Sequence, residues 1–136
     1  DPKLLFYDEP SAGLDPVTSA SIDQLILDLA KKAGATSVVV THEMDSAFVI
    51  ADRMAMLDKG KMLMVEKREV FEKLRDWPLG QIDELDERQQ LIRQFLRGDA
   101  DGPLTKRKED SSYAEDLLGI ETPRLSRGPS VHSSKE

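Results

Sequence analysis

Two carboxylates, Asp8 and Glu9, stand side by side at the end of an unbroken apolar run, Leu4-Leu5-Phe6-Tyr7, and Pro10 follows them at once. Proline has no N–H to give to a ladder, so the run stops there. The pattern predicts a buried parallel strand that delivers two acids to its carboxyl end, the edge where open α/β sheets hold their ligands. Successive strand residues point to opposite faces, so the two acids share one task only if the backbone turns between them. Read alone, the run is more simply a strand that stops at a solvated acidic turn. A third candidate, His42, follows Ser37 to Thr41, a run rich in β-branched residues and free of charge.

The elements that must position these groups are legible from local signals. Pro10-Ser11-Ala12-Gly13-Leu14-Asp15-Pro16 is a loop of mostly small residues that closes on Asp15 as N-cap, with Pro16 at the first helical position. Ile22, Leu25, Ile26 and Leu29 follow helical spacing after Val17, which predicts a helix over Pro16 to Lys32 with Asp23, Gln24, Asp28 and Lys31 on its other face. Lys31 and Lys32 suit its negative end, and Gly34 stops it. Ser37 to Thr41 then reads as a second buried strand. Strand, helix, strand implies a right-handed parallel crossover, which brings His42 to the same sheet edge as Asp8 and Glu9.

Glu43 to Ala51 reads as a short helix. Arg53 to Asp58 and Lys61 to Glu66 read as an antiparallel hairpin about the turn Lys59-Gly60. Lys67 to Trp77 and Ile82 to Arg97 are amphipathic; Pro78 ends the first and Gly98 the second. From Thr105 to Glu136 large apolar residues are few, so this tail is expected to be disordered except for one helical turn at Tyr113 to Leu118.

The chain has 136 residues, a net charge of −7 and no cysteine. A pI near 4.9 argues against a nucleic-acid-binding stripe, and the lack of thiols excludes a disulfide framework and thiolate metal ligands. No apolar run approaches the roughly 20 residues that span a bilayer, and no signal peptide is visible, so a soluble cytoplasmic polypeptide is expected. The chain opens on Asp-Pro, and a core strand begins four residues in, which suggests that it is cut from something longer.

Three segments, taken together, resemble a known family. LLFYDEP is similar to the Walker B segment of ABC-type ATPases, SAGLD to their D-loop, and VVVTHEMDSA to their switch-histidine strand; the resemblance runs from Asp1 to about Glu66, and the hairpin around MLDKGKM also fits it. It implies an α/β fold, the C-terminal part of a RecA-like P-loop NTPase domain, over residues 1–66, followed by a helical extension over 67–104 and the tail over 105–136. It also implies ATP and Mg²⁺ as ligands. Asp8 would bind Mg²⁺ through coordinated water, Glu9 would act as general base or orient the attacking water, and His42 would sense the γ-phosphate or that water. Ser11 and Asp15 would make D-loop contacts with the nucleotide site of a second copy, although simple helix capping also accounts for Asp15. Tyr7 reads as packing.

No G-x-x-x-x-G-K-[ST], LSGGQ-like signature or glutamine loop occurs in the sequence. In the family all three lie upstream of the Walker B strand, so the expectation is a chain that does not hydrolyse ATP alone. The phosphate-loop strand of the family's sheet would sit between Ser37 to Thr41 and Arg53 to Asp58, so its absence is expected to leave a vacant slot with two unpaired edges.

Ile92 to Leu104, IRQFLRGDADGPL, is similar to the terminal segment of the ATPases of Mla and Mkl type phospholipid transporters, with Gln94, Phe95, Leu96, Gly98, Asp101 and Gly102 as the matching positions. The partners this implies are a second ATPase copy, a membrane permease and, through the permease, an Mce-type lipid-binding protein, with the ATPase peripheral on the cytoplasmic face of the inner membrane. Two other readings compete. One is a chromosome or DNA-repair ATPase, which would not need the hairpin. The other is a non-enzymatic truncated product.

Overall fold

Leu4–Asp8 forms β1 and Thr36–Val40 forms β2 in a computed structural model that describes residues 2–110, with side chains to residue 106. The two strands pair in parallel, Leu4 opposite Thr36 and Asp8 opposite Val40. Helix α1, Pro16–Ala33, connects them. Its start is fixed as its residues require: Asp15 is extended and accepts from the N–H groups of Val17 and Thr18, and Pro16 occupies the first turn. Gly34 ends it in the left-handed region at φ 58°, a conformation that costs glycine nothing.

Helix α2, Met44–Ile50, leads into β3, Arg53–Asp58, which pairs antiparallel with β4, Lys61–Lys67. Lys59 and Gly60 both lie at positive φ, as a two-residue hairpin turn requires. The register shifts once, with Met56 facing Met64 and Leu57 facing Met62. The strands form two separate two-stranded sheets, and β2 and β3 are not neighbours.

The best-packed part of the molecule lies in its second half. Met56 of β3, Phe71 and Leu74 of α3 (Arg68–Arg75), and Leu91, Ile92 and Leu96 of α4 (Glu87–Arg97) form one buried cluster with Leu85, and Met44 and Phe48 of α2 pack against it. The hairpin thus shares its core with the helices that follow it, and packing continues across the Glu66 to Lys67 step where the sequence divides the chain.

Four expectations are corrected. The strands β1 and β2 are not buried on both faces: Leu4, Phe6, Val38 and Val40 are exposed, Phe6 by 73 %. Only the face carrying Leu5, Tyr7, Ser37 and Val39 is partly covered. In α1, Leu25 and Leu29 are exposed while Asp23 is buried. Helix α1 packs more against α2 than against the strands, and Asp23 and Ile26 are the residues it buries. One carboxylate oxygen of Asp23 is buried without a partner, for which the packing offers no reason.

The helix expected from Ile82 starts instead at Glu87, after a 3-10 helix over Leu79–Glu84. Leu85 is extended, and Asp86 and Gln89 form a reciprocal capping box that sets the new start. Finally, the first residues of the expected disordered tail belong to helix α5, Pro103–Asp110. Gln94 holds its start by accepting from the Leu104 N–H at 2.7 Å and donating to Thr105 Oγ1 at 2.8 Å. The expected turn at Tyr113 to Leu118 lies outside the described residues.

Candidate nucleotide-hydrolysis site

The turn between the two acids is present in the backbone. Asp8 is the last residue of β1 and exposed; Glu9 follows with φ 46°, a left-handed conformation that is uncommon outside glycine. Its N–H donates to the Val40 carbonyl at 2.8 Å, continuing the β1–β2 ladder, while its side chain swings toward the end of β2. There the carboxylate meets three donors. Oε1 accepts from the His42 backbone N–H at 3.1 Å and lies 2.8 Å from His42 Nδ1; Oε2 accepts from Thr41 Oγ1 at 3.2 Å. An ionised carboxylate only accepts, so Nδ1 carries the proton. The other ring nitrogen is 3.7 Å from Glu43 Oε1.

These contacts shift both partners. The Glu9 carboxyl is held below its usual value of 4.5, first by the hydrogen bond from His42, then, against a smaller desolvation effect, by the positive charge of that ring and the donors of Thr41 and His42. His42 is raised above 6.5, first by the hydrogen bond to Glu9 and then by the Glu9 charge, with a small addition from Glu43.

Of the five residues singled out in the sequence, the structure brings Glu9 and His42 into direct contact and places Asp8 one residue away on the same rim. Ser11 is buried within the loop, its carbonyl accepting from the Leu14 N–H at 3.2 Å. Asp15 stands at the head of α1, fully engaged in capping, with Thr18 Oγ1 donating to its second oxygen at 2.6 Å. The hydroxyl of Thr18, followed by the backbone bonds, lowers its pKa. Sequence reasoning missed Thr41 as a partner of Glu9. Its position as the polar residue between β2 and His42 was the available signal.

No three metal-ligating side chains converge among the described residues. Asp8 is a single hard oxygen donor, which suits an ion such as Mg²⁺ that takes one or two carboxylates and completes its shell with water and substrate phosphates.

The strand–loop–helix–strand unit with its acids and imidazole on one rim fits part of a P-loop ABC ATPase domain. The chain belongs with the ATP-binding proteins of ABC transporters. It is 33 % identical over 94 % of its length to the probable ribonucleotide transport ATP-binding protein mkl of Mycobacterium leprae. To the protein of the same name from Mycobacterium tuberculosis (strain ATCC 25618 / H37Rv) it is 34 % identical over 85 %. It is 48 % identical over 46 % of its length to the methionine import ATP-binding protein MetN of Haemophilus ducreyi. The chain spans about a third of the length of the mkl relatives, 34 % and 29 %, and 18 % of that MetN. No family model matches it. No helix among the described residues is long and apolar enough to cross a membrane.

Proposed function

We propose that this chain carries the water-activating part of the ATP-hydrolysing subunit of an ABC transporter, with Asp8 and Glu9 as its Walker B acids, Ser11 and Asp15 in its D-loop and His42 as its switch histidine. The observation that supports this reading is the 2.8 Å contact between Glu9 and His42 across the β1–β2 rim.

The roles follow from the side chains. Glu9, kept ionised by its donors, accepts a proton from the attacking water or orients it for in-line attack on the γ-phosphorus. His42 holds the carboxylate through Nδ1, and when protonated it also presents a charge toward the phosphate. Asp8 is the residue that would hold Mg²⁺, which when bound neutralises charge on the phosphate oxygens. Ser11 and Asp15 line the loop that faces a second copy. The subunit would act as a dimer on a membrane permease, peripheral to the cytoplasmic face of the inner membrane, and ATP binding would need a phosphate-gripping segment that is not in this sequence.

The test is Glu9→Gln in the protein assembled with its permease. ATP turnover is expected to fall about a hundredfold or more, with ATP binding retained. Unchanged turnover would discard the reading.

For the transported substrate, the segment Ile92 to Leu104 favours phospholipid, with an Mce-type protein engaged through the permease. The names of the relatives instead concern ribonucleotide and methionine transport. Vesicle-to-vesicle phospholipid transfer, compared with methionine and ribonucleotide uptake by the same assembly, separates the three.

A further inference from the structure

Glu9 offers about four lone-pair positions on its two oxygens. Three are filled: the backbone N–H and Nδ1 of His42 take both positions on Oε1, and the Thr41 hydroxyl takes one on Oε2. One position on Oε2 remains, and the Glu9 side chain keeps 31 % of its surface open. We infer that Thr41 is a positioning residue for Glu9, its hydroxyl fixing the carboxylate so that the free lone pair of Oε2 is the one presented to the attacking water. The inference deepens the hydrolytic reading above and rests on it.

The direction of the Thr41 bond is determined by proton count. Thr41 Oγ1 accepts from the Glu43 N–H at 3.0 Å, and a hydroxyl has a single proton. That proton goes to Glu9 Oε2, because an ionised carboxylate has none to give. One hydroxyl therefore joins the first turn of α2 to the carboxylate, and Glu43, the N-cap of α2, has no side-chain cap bond of its own. The β-branched side chain adds stiffness at χ1, so Oγ1 is held with little rotamer freedom. The left-handed backbone of Glu9 is strained for a non-glycine residue and is kept by the contacts of its side chain and N–H at the end of β2. Without the Thr41 hydroxyl, Oε2 has two open positions and water has no preferred one. A general base that is present but misaligned slows the chemical step and leaves binding alone.

The experiment compares Thr41→Val, which keeps the shape and removes the hydroxyl, with Thr41→Ser, which restores the hydroxyl. In the assembled transporter, Thr41→Val is expected to lower kcat for ATP by roughly ten- to a hundredfold with KM changed less than about twofold. Thr41→Ser is expected to recover most of that loss. In the 136-residue chain, the carbon-13 signal of the Glu9 carboxylate is expected to move in Thr41→Val and return in Thr41→Ser. A Thr41→Val protein with lowered melting temperature but unchanged kcat and an unmoved Glu9 signal would show that Thr41 only closes the turn, and would overturn the inference. So would a Thr41→Ser variant no better than Thr41→Val. If the wild-type assembly hydrolyses no ATP, the hydrolytic reading fails, and the carboxylate signal alone then decides whether Thr41 holds Glu9.

Discussion

Glu9 and His42, 33 residues apart in sequence, meet at 2.8 Å between Oε1 and Nδ1. Only the parallel pairing of β1 with β2 puts them there, since each sits at the carboxyl end of its strand. The pair has a defined pH range. His42 is raised above its usual 6.5, so its contribution is fully present below that value and is lost as pH rises through the raised one. Glu9 is lowered from 4.5, so its contribution is present above that value and is lost as pH falls through the lowered one. The contact is therefore strongest between about pH 4.5 and 6.5. An NMR titration of the His42 ring should give a midpoint above 6.5 that moves back toward 6.5 in Glu9→Gln. Added salt should reduce the shift, because His42 is exposed and Glu9 partly so. A wild-type midpoint at or below 6.5 would contradict the geometry.

Asp15 gives its carboxylate to two backbone N–H groups and a hydroxyl at the head of α1. Asp15→Ala should lower the melting temperature and speed amide exchange at Val17 and Thr18, while Asp15→Asn should keep most of the protection. If D-loop contacts with a second copy also depend on the charge, Asp15→Asn will weaken dimerisation of the assembled protein without unfolding α1, and size measurement with nucleotide present reads that separately.

Gln94 is buried and ties the chain after α4 to itself: Nε2 donates to the Asp99 carbonyl at 3.1 Å and to Thr105, and Oε1 accepts from Leu104. Gln94→Ala leaves the half-buried Leu104 N–H without its acceptor and should cost about 1 kcal/mol. Gly102 faces the same amide, where an added Cβ would come 2.5 Å from Gln94 Oε1, and its φ of 153° already disfavours a side chain. Gly102→Ala should therefore loosen the start of α5. Amide exchange at Leu104 and Thr105 reports both variants, and protection equal to wild type would rule the clamp out.

Ile92 is fully buried and Phe71 nearly so, at the centre of the cluster that joins the hairpin to α3 and α4. Ile92→Ala should cost about 2–5 kcal/mol through lost burial and the cavity left behind. Because β3 supplies Met56 to the same cluster, the loss should appear in the hairpin amides as well as in the helices. Destabilisation confined to α4 would mean that the hairpin and helices do not share one core.

Much of the site was legible because its signals are local. The apolar run into Asp8-Glu9-Pro10, the cap at Asp15, the stop at Gly34 and the Lys59-Gly60 turn each depend on a few neighbouring residues, and strand–helix–strand order alone puts His42 on the rim with the acids. The start of α4 was not legible, because hydrophobic spacing continues through Ile82 and Leu85 while the backbone turns extended at Leu85 and the Asp86–Gln89 capping box starts a new helix after it. Nor could the pattern of α1 show that Asp23 turns inward, since that depends on what the helix packs against, which is α2 more than the strands. The sequence by itself determined which residues form strands, caps and turns, and that two acids and an imidazole share one edge. The tertiary structure decided that Glu9 bends out of its strand, which of its oxygens each neighbour holds, and which apolar faces find cover. Those outcomes depend on distances between segments well separated in sequence, 33 residues for Glu9 and His42, which spacing along a chain does not encode.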